Sequence, residues 1–416
     1  MPESPDFVVA PIAELHTVAG GVRRGAAMSE TGRIADGGLA ISTGRVLAVG
    51  RSKEIISAYP DWPRRSGRLV TPGLVDCHTH IVWGGDRSDE FLRRCRGETY
   101  QEIAAAGGGI LSTMRATRST SAEELSEGIV SRAETMLASG TTCLEIKASY
   151  SLALDGCKNE LDAIGLARTR LSQRIAVTFM GGHALPPELS RSDFLRLLMG
   201  ELIPMAAAHP AGCSFNDVFC EEGAFTVAES EEILRAGLRH GLAPKIHSDE
   251  FAALGGTQLA CSLGAVSCDH LLASGPAELR ALAESDTVAV TMPGTALYLD
   301  KAYADGRKMV DEGCIVALGT DFNPGSSMLS SMPFVMGLAV AKMGLSPAEA
   351  LAAATANAAR AVRIDAGSLE VGSVADFCLW PCESLEQLIY QFTFTRPDEV
   401  FIAGSKAAKM TPGQPE

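Results

Sequence analysis

Eight short apolar runs, each followed by a stretch rich in Ala, Leu, Glu and Arg, constrain this chain more than any other feature. They are LVDCHTH (74–80), TCLEIK (142–147), IAVTFM (175–180), NDVFCE (216–221), PKIHSD (244–249), AVSCDH (265–270), TVAVTM (286–291) and IVALGTD (315–321). Segments of helical character lie between them, such as SAEELSEGIVSRAETMLAS, AESEEILRAGLRHG and GPAELRALAES. The eighth run is followed by the Ala-rich SPAEALAAATANAARAV, which reads as one helix. Such alternation marks repeated βα units and a parallel sheet. Eight units suggest a closed (β/α)8 TIM barrel, with functional groups at the C-terminal ends of the strands. A doubly wound open sheet is the alternative. It would need a Gly-rich loop of the phosphate-binding kind after its first strand, and GGDRSDEF matches that poorly.

The chain ends read differently. GGLAISTGRVLAVG, GSLEVGSVADFCLW and EVFIAGSKA alternate apolar runs with Gly-rich turns. Neither end could bury much core alone. We expect residues 1–70 and 364–416 to pair into one small β-sandwich beside a barrel of residues 71–363. The formal net charge of −14 argues against nucleic acid or an anionic membrane as partner. No apolar stretch approaches the roughly 18 residues of a membrane span. The 11 cysteines are odd in number, scattered and without a C-x-x-C pair, which leads us to expect reduced thiols in a cytoplasmic protein.

Five of the eight histidines fall at or just after strand ends. His78 and His80 end the first run, His183 follows the third, His247 lies near the end of the fifth and His270 ends the sixth. Lys147, Glu221 and Asp321 end the second, fourth and eighth runs, and Glu250 follows His247 by three residues. His16, His209 and His240 read as isolated surface or loop residues. On a strand, residues i and i+2 share a face, so His78 and His80 point one way. Buried imidazoles need partners, and a metal at a barrel mouth supplies one. Nitrogen ligands plus a carboxylate suit Zn2+ or Fe2+. His78, His80, His247 and Asp321 are the expected shell of one divalent ion. A second ion would require a bridging anion from the fourth strand. No lysine lies between Lys158 and Lys245 to provide it, and only Glu221 could.

With these residues placed, the chain resembles the amidohydrolase superfamily and, within it, the imidazolonepropionases of histidine degradation. PGLVDCHTHIVWGGDR, GETYQEIAAAGGGILSTMRATR, GHALPPE, DVFCEEGAF, KIHSDEFAALGG, DHL and ALGTDFNPGSSMLSSMP carry the resemblance, which runs from about residue 10 to 405. It implies hydrolytic opening of 4-imidazolone-5-propanoate, a small anionic cyclic amide, to N-formimino-L-glutamate, in a homodimer. By motif, His78, His80, His247 and Asp321 would hold the metal. Arg87 would bind the substrate carboxylate. Tyr100, Tyr150, His183 and Asn323 would line the pocket. Glu250 would contact substrate and, with His270 and Asp321, handle protons and polarise the scissile group. Alternative readings are that Arg87 pairs at the surface with Asp86 or Asp89, that Tyr100 only packs beside the barrel mouth and that His183 caps a loop.

The pattern departs from the family after the second strand. Where the family reads S-G-Y-G-L, this chain has ASYSL, so Ser149 and Ser151 flank Tyr150, and about two residues are added in ALDGCKNE. These changes lie beside the expected pocket. A related carboxylate-bearing cyclic amide is therefore an alternative substrate, and deamination of an aminated heterocycle an alternative reaction.

Overall fold

The computed structural model describes residues 6–98, 102, 103 and 106–407. Its eight parallel strands lie within a few residues of the eight runs. They are β5 (Leu74–Asp76), β6 (Thr141–Ala148), β7 (Arg174–Gly182), β8 (Cys213–Cys220), β9 (Ala243–Ser248), β10 (Ser267–His270), β11 (Val288–Thr291) and β12 (Ile315–Leu318). Each pairs with its sequence neighbour in one sheet, in the order β12 to β5. The ring closes just past the ends of β5 and β12. There Asp321 N–H donates to His78 C=O at 3.0 Å, His80 N–H donates to Phe322 C=O at 3.0 Å, and Thr79 bridges Phe322 in parallel.

The helices form where local chemistry favours them. Ala122–Leu137 and Val227–Arg239 each start with a capping box, Ser121 with Glu124 and Thr226 with Glu229. One expectation is corrected. The Ala-rich segment after β12 is two helices, Pro347–Ala353 and Ala356–Val362. The Thr355 hydroxyl donates to Leu351 C=O at 2.6 Å, competing with the backbone ladder. Asn357 then fastens the second helix, accepting from Arg23 N–H and donating to Val316 C=O, both at 2.8 Å.

The two chain ends build one seven-stranded sheet. It comprises β1 (Phe7–His16), β2 (Arg33–Ser42), β3 (Arg45–Arg51), β4 (Arg64–Pro72), β13 (Phe377–Trp380), β14 (Glu399–Ile402) and β15 (Ser405–Lys406), in the order β15-β14-β13-β4-β1-β2-β3. Phe7, Ile12, Leu39, Val70, Phe377 and Phe401 share its core, where the Phe377 and Phe401 rings stack at 4.4 Å. His16 is not at the surface, as its isolation in sequence suggested. It is buried in β1 between Glu14 and Thr31, at 2.9 and 2.6 Å.

Two features join sheet and barrel. Gly73 alone separates β4 from β5, and a Cβ there would lie 2.2 Å from Thr142 Oγ1, so only glycine fits. Arg174 on β7 grips the buried Asp376 bidentately at 2.8 and 2.9 Å. All eleven cysteines are free thiols. Among the described residues, no helix is long and apolar enough to cross a membrane.

Candidate active site

Four side chains from distant strand ends meet at the barrel mouth. His80 Nε2 lies 3.2 Å from His78 Nε2 and 3.3 Å from His247 Nε2. Asp321 Oδ1 lies 3.6 Å from His78 Nε2 and 3.7 Å from His80 Nε2. Ligands about 2.1 Å from a common zinc at a tetrahedral angle are separated by about 3.4 Å, so these spacings fit one shared ion. His78, His80 and Asp321 form a group able to hold a metal, and His78, His247 and His270 form another. Among the described residues Glu221 belongs to no such group. Its carboxylate instead accepts from Glu222 and Phe251 N–H, both at 2.9 Å.

Each facing imidazole is anchored through its other nitrogen. His78 Nδ1 contacts Asp269 Oδ2 at 2.7 Å, His247 Nδ1 contacts Asp217 Oδ1 at 3.1 Å, and His80 Nδ1 contacts Ser149 Oγ at 2.9 Å. An Nδ1–H donated in this way leaves Nε2 as a lone pair, as metal ligation requires. Burial holds His78, His80 and His270 well below the usual imidazole range, with Lys147, His183 and His247 respectively the next cause. Burial therefore favours the neutral form of these three rings. Burial raises Asp217, but His247 and Lys147 outweigh it and keep that carboxyl well below its usual range. Burial pushes Asp321 up to about 6, and it raises Glu250 well above the usual range, helped by Asp321.

The remaining expected residues surround this cluster. The His270 and Glu250 side chains approach to 3.8 Å. The His183 ring stacks on His80 at 5.1 Å, with Nδ1 on Ser149 C=O at 3.0 Å, and Tyr150 is buried 6.1 Å from the His80 ring. Burial lowers His183 to about 4. Arg87 pairs with Glu90 through Nε and Nη2, at 2.9 and 2.7 Å, rather than with Asp86 or Asp89. It lines a cavity of about 230 Å3 with Trp83, Phe91, Arg94, Tyr298 and Met328. Asn323 shapes the loop after Asp321, its Oδ1 accepting from Gly325 and Ser326 N–H at 2.8 Å. Tyr100 lies outside the described residues.

Sequence reasoning missed Asp217, Asp269 and Thr295, whose hydroxyl donates to Asp321 Oδ2 at 2.7 Å. The signal for the first two was a lone carboxylate inside an otherwise apolar strand, as in NDVFC and SCDH. The departures beside Tyr150 also have visible roles. Ser149 anchors His80. Glu160 Oε1 accepts from Tyr150 N–H at 3.1 Å, Ser151 N–H at 2.9 Å and Ser151 O–H at 3.1 Å. Glu160 belongs to the helix Leu154–Arg168, which contains most of the added segment.

Burial raises Glu160 from 4.5 to about 8 against those donated bonds. Between these values the folded chain keeps a proton that the unfolded chain has lost, so stability falls as pH rises from about 5 to about 8. Glu160→Gln retains an acceptor oxygen and removes this loss. Thermal melts from pH 6 to pH 9 should show a shallower decline for the variant. Identical slopes would contradict the assignment.

The "Amidohydrolase family" profile matches residues 227–406. The imidazolonepropionase of Symbiobacterium thermophilum is 46% identical over 89% of this chain and 90% of its own length. That of Brevibacillus brevis is 42% identical over 94% of this chain and 96% of its own. Among solved structures, a zinc-bound adenosine deaminase from Xanthomonas campestris superposes with a TM-score of 0.68 at 20% identity, covering 98% of this chain and 93% of that one. Guanine deaminase from E. coli gives 0.71 at 16% identity, covering 98% and 100%. The deaminases share the fold. The sequence likeness is closer and nearly full-length, and it joins a histidine–aspartate cluster at the mouth of an eight-stranded barrel, so the chain belongs to the imidazolonepropionase family of amidohydrolases.

Proposed function

We propose that this chain is a metal-dependent hydrolase acting on a C–N bond of a five-membered cyclic amide, opening 4-imidazolone-5-propanoate to N-formimino-L-glutamate. One observation carries the reading: His80 Nε2 lies within 3.2 and 3.3 Å of His78 and His247 Nε2, and Asp321 Oδ1 lies 3.6 and 3.7 Å from His78 and His80 Nε2. His78, His80, His247 and Asp321 would hold a single Zn2+ or Fe2+. When bound, such an ion acidifies a water and polarises a carbonyl.

The protein's own groups do the rest. Asp321 accepts the proton of the attacking water. The water oxygen adds to the ring carbonyl carbon, and His270 faces the developing oxyanion, with Nδ1 lacking a hydrogen-bond partner among the described residues. The ring C–N bond breaks as Glu250, whose protonated form burial favours, protonates the leaving nitrogen. Asp321 then re-protonates Glu250 through solvent. Arg87, Tyr150 and His183 orient the substrate, Arg87 by pairing with its carboxylate. Asn323 completes the pocket. In this reading the barrel unit, residues 71–363, holds the chemistry, and the unit of residues 1–70 and 364–416 buttresses it. The enzyme acts in the cytoplasm as a homodimer.

Loss of ring absorbance from 4-imidazolone-5-propanoate, with one formimino product and no ammonia, tests the activity. Ammonia release from amino-purines or amino-pyrimidines, without ring opening, would overturn it. Arg87→Ala should raise KM by about 10- to 100-fold and change kcat little, because it removes binding shared by substrate and transition state. A normal KM would remove Arg87 from carboxylate recognition.

A further inference from the structure

Barrel interiors of this fold are usually packed with branched apolar side chains. Here the layer below the histidines is ionic. Glu145, Lys147, Asp217, Lys245 and Asp269 are all fully buried. They precede the ligands on the same strands or on neighbouring ones, as Lys245 precedes His247 by two residues. Lys147 Nζ sits 2.6 Å from Asp217 Oδ2, 3.0 Å from Glu145 Oε2 and 3.7 Å from Asp269 Oδ2. Lys245 Nζ closes the chain on Glu145 Oε1 at 2.7 Å. One ammonium group therefore reaches both carboxylates that anchor metal-facing imidazoles, Asp217 under His247 and Asp269 under His78.

We infer that Lys147 is a positioning residue for the metal site, holding Asp217 and Asp269 as paired acceptors so that His247 and His78 present their Nε2 lone pairs together. The inference rests on the metal reading above. Charge balance supports it. The two ammonium groups and three carboxylates of this layer leave one negative charge, Asp321 adds a second, and a divalent ion cancels both. Outer partners of ligating histidines govern metal affinity by about 10- to 100-fold.

The test uses the full chain. Zinc affinity is measured by competition with a chromophoric chelator, and ligand geometry by the visible spectrum of the Co2+-loaded protein. Lys147→Gln should weaken zinc binding by about 10- to 100-fold and alter the Co2+ spectrum. Lys147→Arg, which keeps the charge, should recover most of both. A folded Lys147→Gln chain that binds zinc within about threefold of the parent would overturn the inference and leave the functional reading standing. A parent chain that takes up no stoichiometric metal would overturn both. If Lys147→Gln does not fold, 15N-histidine spectra of the parent decide. Two hydrogen-bonded Nδ1–H signals, from His78 and His247, should persist with and without zinc, and their absence would overturn the inference.

Discussion

Asp321→Asn should lower kcat by about a thousandfold or more at saturating metal while leaving the chain folded. The substitution is nearly isosteric and keeps the backbone, because Asp321 has φ of 53°, a left-handed conformation that asparagine tolerates. The chemistry does not survive. Asp321 Oδ1 faces two imidazole lone pairs and Oδ2 accepts from Thr295. A carboxamide cannot serve both sides as an acceptor, carries no charge for an ion and takes no proton from water. Burial pushes the Asp321 carboxyl up to about 6, against the lowering effect of Thr295 and His247. Circular dichroism checks the fold and steady-state kinetics the rate. Near-normal kcat in a folded variant would show that another group accepts the proton.

Removing the metal should abolish turnover and also lower the melting temperature. A ligand held a thousandfold above its dissociation constant stabilises the folded state by about 4 kcal/mol, which a chelator would forfeit. Stripped of an ion, the cluster sets Nε2 lone pairs against one another at 3.2 and 3.3 Å in a buried site. Protons compete weakly for the His78 and His80 lone pairs, because burial keeps both rings well below their ordinary range. Competition should grow as pH falls. Calorimetry with and without chelator, followed by return of zinc or ferrous iron, measures the effect and ranks the two metals by recovered rate. Full activity in protein shown to be metal-free would refute the reading.

The barrel was legible in the sequence because each buried strand is a short apolar run, and parallel strands covered on both faces leave little else to read. His78 and His80 declared themselves by spacing, and Asp321 by its place after IVALGT. What stayed hidden depends on pairing across strands. Asp217 and Asp269 look like stray carboxylates until β8 and β9 bring the first beside His247, and β10 and the end of β5 bring the second beside His78. The bend at Thr355 needed Gly367 as well as the local hydroxyl, since a Cβ on that glycine would lie 2.5 Å from the Thr355 carbonyl carbon. Ser149 could not be assigned because the family pattern has glycine there. Only the fold shows its hydroxyl under His80.

The ring of strands is completed by the same short stretches that supply His78, His80 and Asp321, and Thr320 on one side bonds Asp76 on the other across 244 residues of chain. An ion held by His78, His80 and Asp321 would act as a clasp between the first and last staves of the barrel. A partly synthesised chain holds only one half of that clasp, so the complete ligand set of His78, His80, His247 and Asp321 would assemble only once the final strand has been made and has docked.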